Sequence, residues 1–321
     1  MIPSPSLFFV ITAIALLADA LIGDPDRIYR LVPHPVVLMG RLIGFLDRVW
    51  NRSDQSPLRR IYFGALTAFI VVGVSGAIGM VLHVLLQQWA YGWIMEGLLM
   101  SVLIAQRSLY LHVAAVATAF SNDGLAGARQ AVGKIVGRDT SALDEEGVAA
   151  GAIESLAENF SDGVVAPVFW GVVFGLPGVL AYKALNTADS MIGHRTEKHL
   201  HFGSVSARAD DVANFIPARL SGLIIWAAIL FKSKAWHAMM VDACKHRSVN
   251  AGYPEAAMAG ALGIRLSGPR LYEGQEVDEP WVGGDFNEPT CADIDRALAV
   301  FLRACLILLG IIAVLAFVFM R

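Results

Sequence analysis

One stretch of the chain, Ile61 to Leu86, contains no formally charged residue. As a helix, this stretch is long enough to cross a hydrocarbon core of about 30 Å. The whole chain is also poor in charge, with 17% charged and 56% hydrophobic residues. Soluble domains carry about 25% charged residues, so the deficit indicates a protein that resides in a membrane. The net charge of −3 gives no reason to expect a nucleic-acid partner.

Five other segments are apolar enough to consider as membrane segments. Residues 304–320 carry no charge, 7–22 are shorter and include Asp19, and 94–120 are interrupted by polar residues. Residues 164–185 and 215–231 contain proline, and the first of them is broken at Gly175-Leu-Pro-Gly178. Two half-helices joined there would form a re-entrant hairpin, which is tolerated at membrane depth where protein covers it.

We therefore predict an all-α fold: a polytopic membrane helical bundle with re-entrant or interfacial segments and cytoplasmic helical loops. Residues 1–321 are predicted to form a single membrane-embedded domain, with spans near 7–22, 61–86, 94–120 and 304–320. The segment 26–60 has seven arginines and the connection 87–93 has no charge. The positive-inside rule then places the arginine-rich segment in the cytoplasm. The loop 186–214 lies outside if both broken segments cross, and inside if both are re-entrant. We predict the second case.

Acidic residues precede the broken segment at helical spacing. Glu154 and Glu158 are four residues apart and share a helix face, where their charges repel. Asp162 extends that face if the helix continues, although Gly163 suggests that it ends. A divalent cation is the usual remedy for such repulsion, and a solvated helix face is the alternative. The apolar run that follows favours the cation, so we predict Glu154, Glu158 and Asp162 as metal ligands.

A second polar series follows the broken segment. Lys183, Asn186 and Asp189 recur at helical spacing, and an aspartate is poorly suited to an apolar core. Asp210 and Asp211 follow Arg208, and a surface ion pair is the alternative explanation for them. We predict that Asp189, Asp210 and Asp211 also serve as metal ligands.

Three shorter motifs have functional and structural interpretations. His34 lies between two prolines in what could simply be a rigid loop. Lys134 and Arg138 are four apart and could bind phosphate from one helix face or be solvated, with Thr140 or Ser141 capping the next helix. The run Asn250-Ala-Gly-Tyr-Pro-Glu255 could be a polar site, or the start of a helix with Pro254 in its first turn. The sequence contains no P-loop, nucleophile elbow or zinc-protease motif, so nucleotide would have to be bound by acids, a metal and scattered basic groups.

These motifs together resemble those of the CobD/CbiB adenosylcobinamide-phosphate synthases of cobalamin biosynthesis. The resemblance runs in order from the first predicted span to about Gly263, which is most of the chain. It is carried by Gly23-Asp24-Pro25, Pro33-His34-Pro35, Gly137-Arg138-Asp139-Thr140, Glu154-Ser-Leu-Ala-Glu158-Asn159, Tyr182-Lys183-Ala-Leu-Asn186-Thr-Ala-Asp189-Ser190-Met-Ile-Gly193, Ala207-Arg208-Ala-Asp210-Asp211 and Asn250-Ala-Gly-Tyr253-Pro-Glu255.

The resemblance implies a membrane-bound amide ligase. The enzyme would join the free carboxylate of adenosylcobyric acid to the amine of (R)-1-amino-2-propanol O-phosphate, with ATP and Mg²⁺. We predict catalytic roles for Glu154, Glu158, Asp189 and Lys183. The residues predicted to bind substrate or nucleotide are Asp24, His34, Lys134, Arg138, Asn159, Asn186, Ser190, Arg208, Asn214, Asn250, Tyr253 and Glu255.

The resemblance also implies a setting and a set of partners. The protein would be a multi-pass protein of the inner (cytoplasmic) membrane with its active site facing the cytoplasm. Its partners would be the corrinoid, the aminopropanol phosphate, the lipid bilayer, and either further copies of itself or other enzymes of the cobalamin pathway. One alternative is a non-catalytic membrane sensor of the same fold. Another is a small transporter, which would predict an inverted repeat that the sequence does not show.

Overall fold

The computed structural model describes residues 5–23, 29, 32–137, 139–194, 196–272, 275–277, 279–284 and 286–320. Helices dominate this part of the chain. They are α1 (Pro5–Leu21), α2 (Pro35–Trp50), α3 (Pro57–Leu86), α4 (Gly92–Ser101), α5 (Gln106–Val132), α6 (Glu145–Phe160), α7 (Ala166–Ile192), α8 (Ser204–Ala228), α9 (Ser233–Asp242), α10 (Gly252–Leu262) and α11 (Cys291–Phe319). A π-helical turn, Ser161–Val165, joins α6 to α7, and a short 3₁₀ turn, Ala243–Lys245, follows α9.

Four short strands lie between α10 and α11. They are β1 (Leu266–Ser267), β2 (Arg270–Tyr272), β3 (Gln275–Val277) and β4 (Trp281–Val282). Strand β1 pairs with β4 and β2 pairs with β3, both antiparallel. These strands are two or three residues long. The architecture is therefore the predicted all-α bundle with two small strand pairs in one connection.

Four segments of the described chain are long and apolar enough to cross a membrane. They are Pro57–Leu86, Gly92–Val132, Glu145–Ile192 and Cys291–Phe319. Helix α1 is also apolar but has only 17 residues. The prediction of a polytopic membrane helical bundle is confirmed, and the protein is a multi-pass membrane protein. The predicted span 94–120 is divided between α4 and α5, with a non-helical connection at residues 102–105.

The chain forms two compact units, which we describe separately. The first comprises residues 1–105, 166–214 and 312–321. In it, α3 packs along α7 and α1 packs against α4 and α7. A Cβ at Gly79 would lie 2.7 Å from the Cα of Pro177, so this glycine lets α3 and α7 approach closely. Glu96 is fully buried in this unit, where His83 Nδ1 and Gln87 Nε2 lie within 2.8–3.0 Å of its carboxylate.

Helix α7 reverses direction at Gly175. This residue has φ 64° and ψ −154°, a backbone conformation that glycine adopts without steric cost. A Cβ at Gly178 would lie 2.5 Å from the carbonyl oxygen of Trp170, and one at Gly171 would lie 3.2 Å from Val179. A straight helix would hold residues eight apart at about 12 Å, so the two halves form a hairpin. This is the break expected at Gly175-Leu-Pro-Gly178; its placement in the bilayer stays a prediction.

The second unit comprises residues 106–165 and 215–311. Helix α6 packs against α5 and α10, and α9 packs against α10. The contact between α9 and α10 is close because a Cβ at Gly260 would lie 2.5 Å from the Cα of Ala235. The buried rings of Phe160 and Phe301 meet edge to face, with centroids 5.6 Å apart. The prediction of a single domain over the whole chain stays a prediction.

Two local predictions in this unit were wrong. Helix α5 ends at Val132 and Lys134 lies in a turn, so Lys134 does not lie on a helix that continues toward Arg138. The helix ends because Thr140 Oγ1 and Arg129 Nε bond backbone carbonyls at residues 129 and 143, which fold the following chain back. The next helix is capped by Asp144, which accepts the Gly147 N–H at 2.8 Å, and not by Thr140 or Ser141.

The helix that carries Glu154 does not end at Gly163. It continues through the π-helical turn into α7, and the wider turn changes the angular position of Asp162. Asp162 therefore does not extend the face of Glu154 and Glu158 with α-helical spacing. Single π-helical turns inside helices occur often at functional sites.

Candidate functional site

A buried polar cluster forms where α7 ends and α8 begins in the first unit. Asp210 is 7% exposed, and its carboxylate accepts hydrogen bonds from Asn214 Nδ2 at 2.9 Å and Asn186 Nδ2 at 3.4 Å. The amide oxygen of Asn214 accepts the hydroxyl proton of Tyr182 at 2.9 Å. Three of the predicted site residues, Asn186, Asp210 and Asn214, are therefore brought together by direct contacts.

The charge on Asp210 is costly in this cluster. Burial, followed by the nearby Asp189 carboxylate, raises the pKa of Asp210 to about 7, and the two amide hydrogen bonds only partly oppose the shift. A carboxyl group with this pKa exchanges its proton near neutral pH. Such a group can act as a general base, and its charged form would be stabilised by a cation.

Asp189 is held by a close contact with Gly193. The Gly193 N–H donates to the Asp189 carbonyl at 2.7 Å, and α7 ends at Ile192. The Asp189 carboxylate oxygen Oδ1 also lies in the space that a Cβ on residue 193 would occupy. Only glycine at position 193 allows the carboxylate to fold over the end of the helix, which explains the glycine that closes the motif.

The other predicted residues of the first unit lie around this cluster with different exposure. Lys183 is half-buried, and its carbonyl accepts the Thr187 hydroxyl proton at 2.6 Å. Ser190 is exposed and donates to the Asn186 carbonyl at 2.9 Å. Arg208 and Asp211 are exposed on α8. Lys183, from the motif on α7, and Arg208, from the motif on α8, are therefore the cationic side chains that these two motifs supply.

The loop between α7 and α8 is anchored by residues that sequence reasoning did not select. Asp47 on α2 accepts Lys198 Nζ at 2.6 Å and Asn51 Nδ2 at 2.8 Å, and His199 Nε2 lies 3.4 Å away. Although burial opposes the charge, the hydrogen bonds from Lys198 and Asn51 hold the pKa of Asp47 below its usual value. Asp47 lies in an ordinary amphipathic helix and its partner Lys198 is 151 positions away, so no local signal identifies this contact.

His34 has both ring nitrogens engaged within the protein. Nδ1 accepts the Val36 N–H at 3.2 Å and caps α2, while Nε2 lies 3.0 Å from the Val102 carbonyl, to which it donates. The ring thus fixes the start of α2 to the connection after α4. Asp24, which was predicted to bind substrate, lies outside the described residues.

The second unit contains a cavity of about 550 Å³ with a strongly acidic lining. Glu154 is 8% exposed and reaches this cavity from α6. Its Oε1 accepts the backbone N–H of Ser267 at 2.7 Å. The charged side chains in the lining are Asp139, Asp144, Glu146, Glu154, Glu288 and Arg265.

One wall of the cavity is built from Arg265, Trp281 and two acids. The Arg265 guanidinium lies over the Trp281 ring, 4.3 Å from its centroid, and forms an ion pair with Glu288. Glu288 in turn shares a hydrogen bond with Glu146. Among the lining residues that the structure describes, the cavity therefore presents one cation and several carboxyl groups, an arrangement that attracts a positively charged group of a ligand.

Ser267 joins two of the predicted acidic residues. Its N–H bonds Glu154, and its hydroxyl donates to Glu255 Oε2 at 3.3 Å. Ser267 has a φ of 61°, which is uncommon for a residue other than glycine. Strained backbone of this kind clusters at functional sites. Ser267 and Glu154 are 113 positions apart, so no local sequence pattern predicts this contact.

The remaining acids of the first predicted motif do not share the position of Glu154. Glu158 is exposed and Asp162 is half-buried, and neither lines the cavity. Asn159 is exposed and donates to the Ser155 carbonyl on its own helix at 2.9 Å. The single helix face predicted for Glu154 and Glu158 thus has one buried and one exposed member.

The motif from Asn250 to Glu255 has a structural account. Helix α10 begins at Gly252, so Pro254 lies in its first turn. The guanidinium of Arg219 lies 4.1 Å from the Tyr253 ring centroid and donates to Asn250 Oδ1 at 2.9 Å. Glu255 is buried, with His246 Nε2 3.5 Å away.

Lys134 is exposed in its turn, and Arg138 lies outside the described residues.

The carboxylates of the candidate site would provide only part of a ligand set for Mg²⁺. Among the residues that the structure describes, no three His, Cys, Asp or Glu side chains lie close enough to hold a metal ion together. Mg²⁺ is usually bound by one or two carboxylates together with water and substrate phosphates. The Asp189 carboxylate would provide one such ligand, and a cation beside it would relieve its repulsion of Asp210. Glu154 is described in the other unit and provides a separate carboxylate.

The chain is similar to a protein family and to several known proteins that all carry the same description. The family model for CobD/Cbib protein matches residues 12–301. A protein from Sinorhizobium sp, described as cobalamin biosynthesis protein CobD, is 49% identical over 317 residues, covering 96% of this chain and 98% of that protein. Proteins with the same description from Rhodobacter capsulatus and Brucella anthropi are 48% and 44% identical, and cover 96% and 94% of this chain.

Each of these matches covers nearly the full length of this chain and of the related protein. The Rhodobacter capsulatus and Brucella anthropi proteins are themselves covered to 98% and 95%. No solved structure matches the chain. The resemblance found in the motifs is therefore confirmed over nearly the whole sequence, and the chain belongs to the CobD/CbiB family of cobalamin biosynthesis proteins.

Proposed function

We propose that the protein is an ATP-dependent amide ligase of cobalamin biosynthesis. It joins the free carboxylate of adenosylcobyric acid to the amine of (R)-1-amino-2-propanol O-phosphate and produces adenosylcobinamide phosphate. Membership of the family supports a role in the pathway. The polar groups of the two units support the choice of reaction.

The chemistry of the reaction sets its requirements. A carboxylate is a poor electrophile, so one of its oxygens first attacks the γ-phosphorus of ATP and ADP leaves. The amine nitrogen then attacks the carbonyl carbon of the acyl phosphate, and phosphate departs as the amide bond forms. The ammonium group must lose a proton before its nitrogen can attack. The protein therefore has to supply a base and groups that balance the charge of the phosphates.

The observation that carries the proposal is the Asp189–Asp210 pair. Asp210 is buried, its position is fixed by Asn186 and Asn214, and its pKa is about 7. A base is most effective when its pKa lies near the working pH, so Asp210 is well suited to accept the proton of the ammonium group. Lys183 and Arg208, from the same two motifs, supply positive charge for phosphate.

The acidic cavity of the second unit suits the aminoalcohol phosphate. In a binding step separate from the proton transfer to Asp210, Glu154, Glu146 and Glu288 would attract its ammonium group, and Arg265 would face its phosphate. The corrinoid is far larger than 550 Å³, so it must bind on an open surface. Mg²⁺, when bound with ATP, would neutralise charge on the transferring phosphoryl group. We propose that this activity takes place at the cytoplasmic face of the inner membrane, where ATP is available. We also propose that the protein associates with further copies of itself or with other enzymes of the pathway.

The proposal is tested with the purified full-length protein in nanodiscs. Adenosylcobyric acid, (R)-1-amino-2-propanol O-phosphate, ATP and Mg²⁺ are supplied together, and the corrinoid products are identified by mass spectrometry. We expect adenosylcobinamide phosphate in the complete mixture and none when ATP or the amine is omitted. A complete mixture that leaves adenosylcobyric acid unchanged, with protein that remains monodisperse, would refute the ligase activity and favour the non-catalytic sensor.

A further inference from the structure

The connection between α8 and α9 exposes two large apolar side chains on a strained backbone. Leu230 is 86% exposed and Phe231 is 60% exposed. Their φ values are 58° and 59°, in the left-handed region that residues with a Cβ rarely adopt. Two adjacent residues in this conformation are unusual, and in water the exposure of their apolar side chains would not be offset.

Local contacts hold the turn in this conformation. The N–H groups of Leu230 and Phe231 donate to carbonyls at the end of α8, at 3.0 and 3.1 Å. Trp226 Nε1 donates to the Lys232 carbonyl at 3.1 Å. The Trp226 ring contacts Phe231, with centroids 4.8 Å apart, and Trp236, at 4.6 Å. Leu230 and Phe231 therefore lie on a turn that hydrogen bonds and contacts with the Trp226 ring hold in place.

Helix α9 continues the same apolar surface. Its inner face, with Ala235, Ala238 and Met239, is buried in the second unit. Its outer face exposes Trp236, Met240 and Val241, at 39–49%. Together with Leu230 and Phe231, these residues form the surface that we call the α8–α9 apolar patch.

The charges beside the patch are basic. Lys232 and Lys234 are exposed at the turn, and Lys245 follows α9. The one acid between residues 230 and 247, Asp242, is buried, where it accepts Lys245 Nζ at 2.6 Å and the Gly283 N–H at 3.0 Å. No acidic side chain of this segment therefore opposes the lysines at the patch.

The same unit carries a candidate membrane span with an exposed apolar surface. Helix α11 belongs to one of the four segments apolar enough to span a membrane, and Leu302, Leu306 and Ile311 are exposed on it. Tryptophan is enriched where protein meets the membrane–water interface, and lysine beside it is attracted to anionic headgroups. The composition of the patch matches that of an interfacial membrane-binding element.

We propose that the α8–α9 apolar patch inserts into the headgroup–acyl boundary of an anionic lipid leaflet. Leu230 and Phe231 enter the acyl region, Trp226 and Trp236 lie at the interface, and Lys232 and Lys234 contact lipid phosphates. The element lies parallel to the membrane surface and adds a contact that is distinct from the four candidate spans. It concerns membrane attachment and does not depend on the ligase activity.

The test uses spin labels whose collision rates report lipid or water. Cys244, Cys291 and Cys305 are replaced by alanine, and single cysteines are introduced as Leu230→Cys or Met240→Cys. Leu306→Cys supplies a reference on the exposed surface of α11, and Ser141→Cys supplies a water-exposed reference. Each labelled protein is placed as one copy per nanodisc containing phosphatidylcholine and phosphatidylglycerol, and collisions with oxygen and with nickel ethylenediaminediacetate are measured.

We expect labels at positions 230 and 240 to collide preferentially with oxygen, as at 306, and the label at 141 to prefer the nickel complex. Lys232→Gln and Lys234→Gln should each lower the ratio of lipid-exposed to water-exposed label about fivefold in these anionic discs. Preference for the nickel complex at both 230 and 240 would overturn the proposal. Exclusion of both reagents at both positions would also overturn it, because protein would then cover the patch. The use of two positions guards against misfolding of the Leu230→Cys protein.

Discussion

The Oδ1 atom of Asp189 occupies the space that a Cβ on residue 193 would fill, so this carboxylate can take its position only beside a glycine. The Gly193 N–H also donates to the Asp189 carbonyl at 2.7 Å, and α7 ends at Ile192. The motif thus fixes an aspartate at a helix terminus, next to the buried Asp210. In the proposed ligase, Gly193 is a positioning residue for Asp189.

Gly193→Ala should displace the Asp189 carboxylate and lower turnover. If Asp189 stabilises charge in the transition state, we expect a fall of about 10²-fold, close to that of Asp189→Asn. The melting temperature reports any general destabilisation. Gly73→Ala is the matched control, because a Cβ there meets no atom within 4 Å. Turnover in Gly193→Ala equal to that of Gly73→Ala would show that the position of Asp189 does not matter.

The pKa of Asp210 predicts how stability depends on pH. The pKa of this carboxyl group is about 7 in the folded protein, against about 3.9 in an unfolded chain. Between these values the folded state keeps a proton that the unfolded state releases, so the free energy of unfolding falls as pH rises from about 4 to about 7. Asp210→Asn removes this dependence, and we expect the variant to be more stable than the wild type at pH 8. Thermal melts of both proteins across this range provide the measurement.

The same group should appear in the pH profile of the reaction. If Asp210 accepts the proton of the ammonium group, kcat/KM of the wild type rises as pH passes through about 7. In Asp210→Asn the rise should disappear and the rate at pH 8 should fall about 10²-fold, within the range for loss of a general base. Superimposable pH profiles for the two proteins would exclude Asp210 as the base.

Removal of Mg²⁺ separates the carboxylates that serve a cation from those that only shape the protein. Chelation should abolish amide formation, because ATP-dependent phosphoryl transfer needs charge neutralisation. Asp189→Asn and Glu154→Gln should each require more Mg²⁺ for half-maximal rate if they contribute ligands. Asp54→Asn is the control, since Asp54 lies on the surface in an exposed pair with Arg52. Mg²⁺ dependence in both site variants identical to that of Asp54→Asn would make these carboxylates structural.

His34 should behave as a structural residue. Its Nδ1 caps α2 and its Nε2 bonds the Val102 carbonyl at 3.0 Å. We expect His34→Ala to destabilise the protein by about 1–2 kcal/mol, the scale of a lost N-cap, and to leave KM for both substrates unchanged. His34→Asn keeps a capping side chain and should recover part of the stability. A large rise in KM without a change in melting temperature would instead support the substrate-binding role predicted from the sequence.

Features set by local chemistry could be predicted from the sequence. The break at Gly175 follows from a glycine that permits φ 64° and from Pro177, and Pro254 in the first turn of α10 follows from its fixed φ. The grouping of Asn186, Asp210 and Asn214 was only partly predictable. Their spacing marks two helix faces, but the contact between those faces depends on packing.

Features set by distant contacts could not be predicted. Ser267 meets Glu154 across 113 positions, and Lys198 meets Asp47 across 151. The helix predicted to continue through Lys134 was wrong because Thr140 bonds the Arg129 carbonyl and turns the chain after Val132. The π-helical turn at Ser161–Val165 changed the position of Asp162, since α-helical spacing no longer applied.

The most direct test of the account follows oxygen from the corrinoid carboxylate. Adenosylcobyric acid labelled with ¹⁸O in its free carboxylate is incubated with the protein in nanodiscs, ATP, Mg²⁺ and (R)-1-amino-2-propanol O-phosphate. Activation as an acyl phosphate predicts one ¹⁸O atom in the released inorganic phosphate for each amide formed. Unlabelled phosphate, label in AMP, or no ATP-dependent amide at all would contradict the proposed reaction.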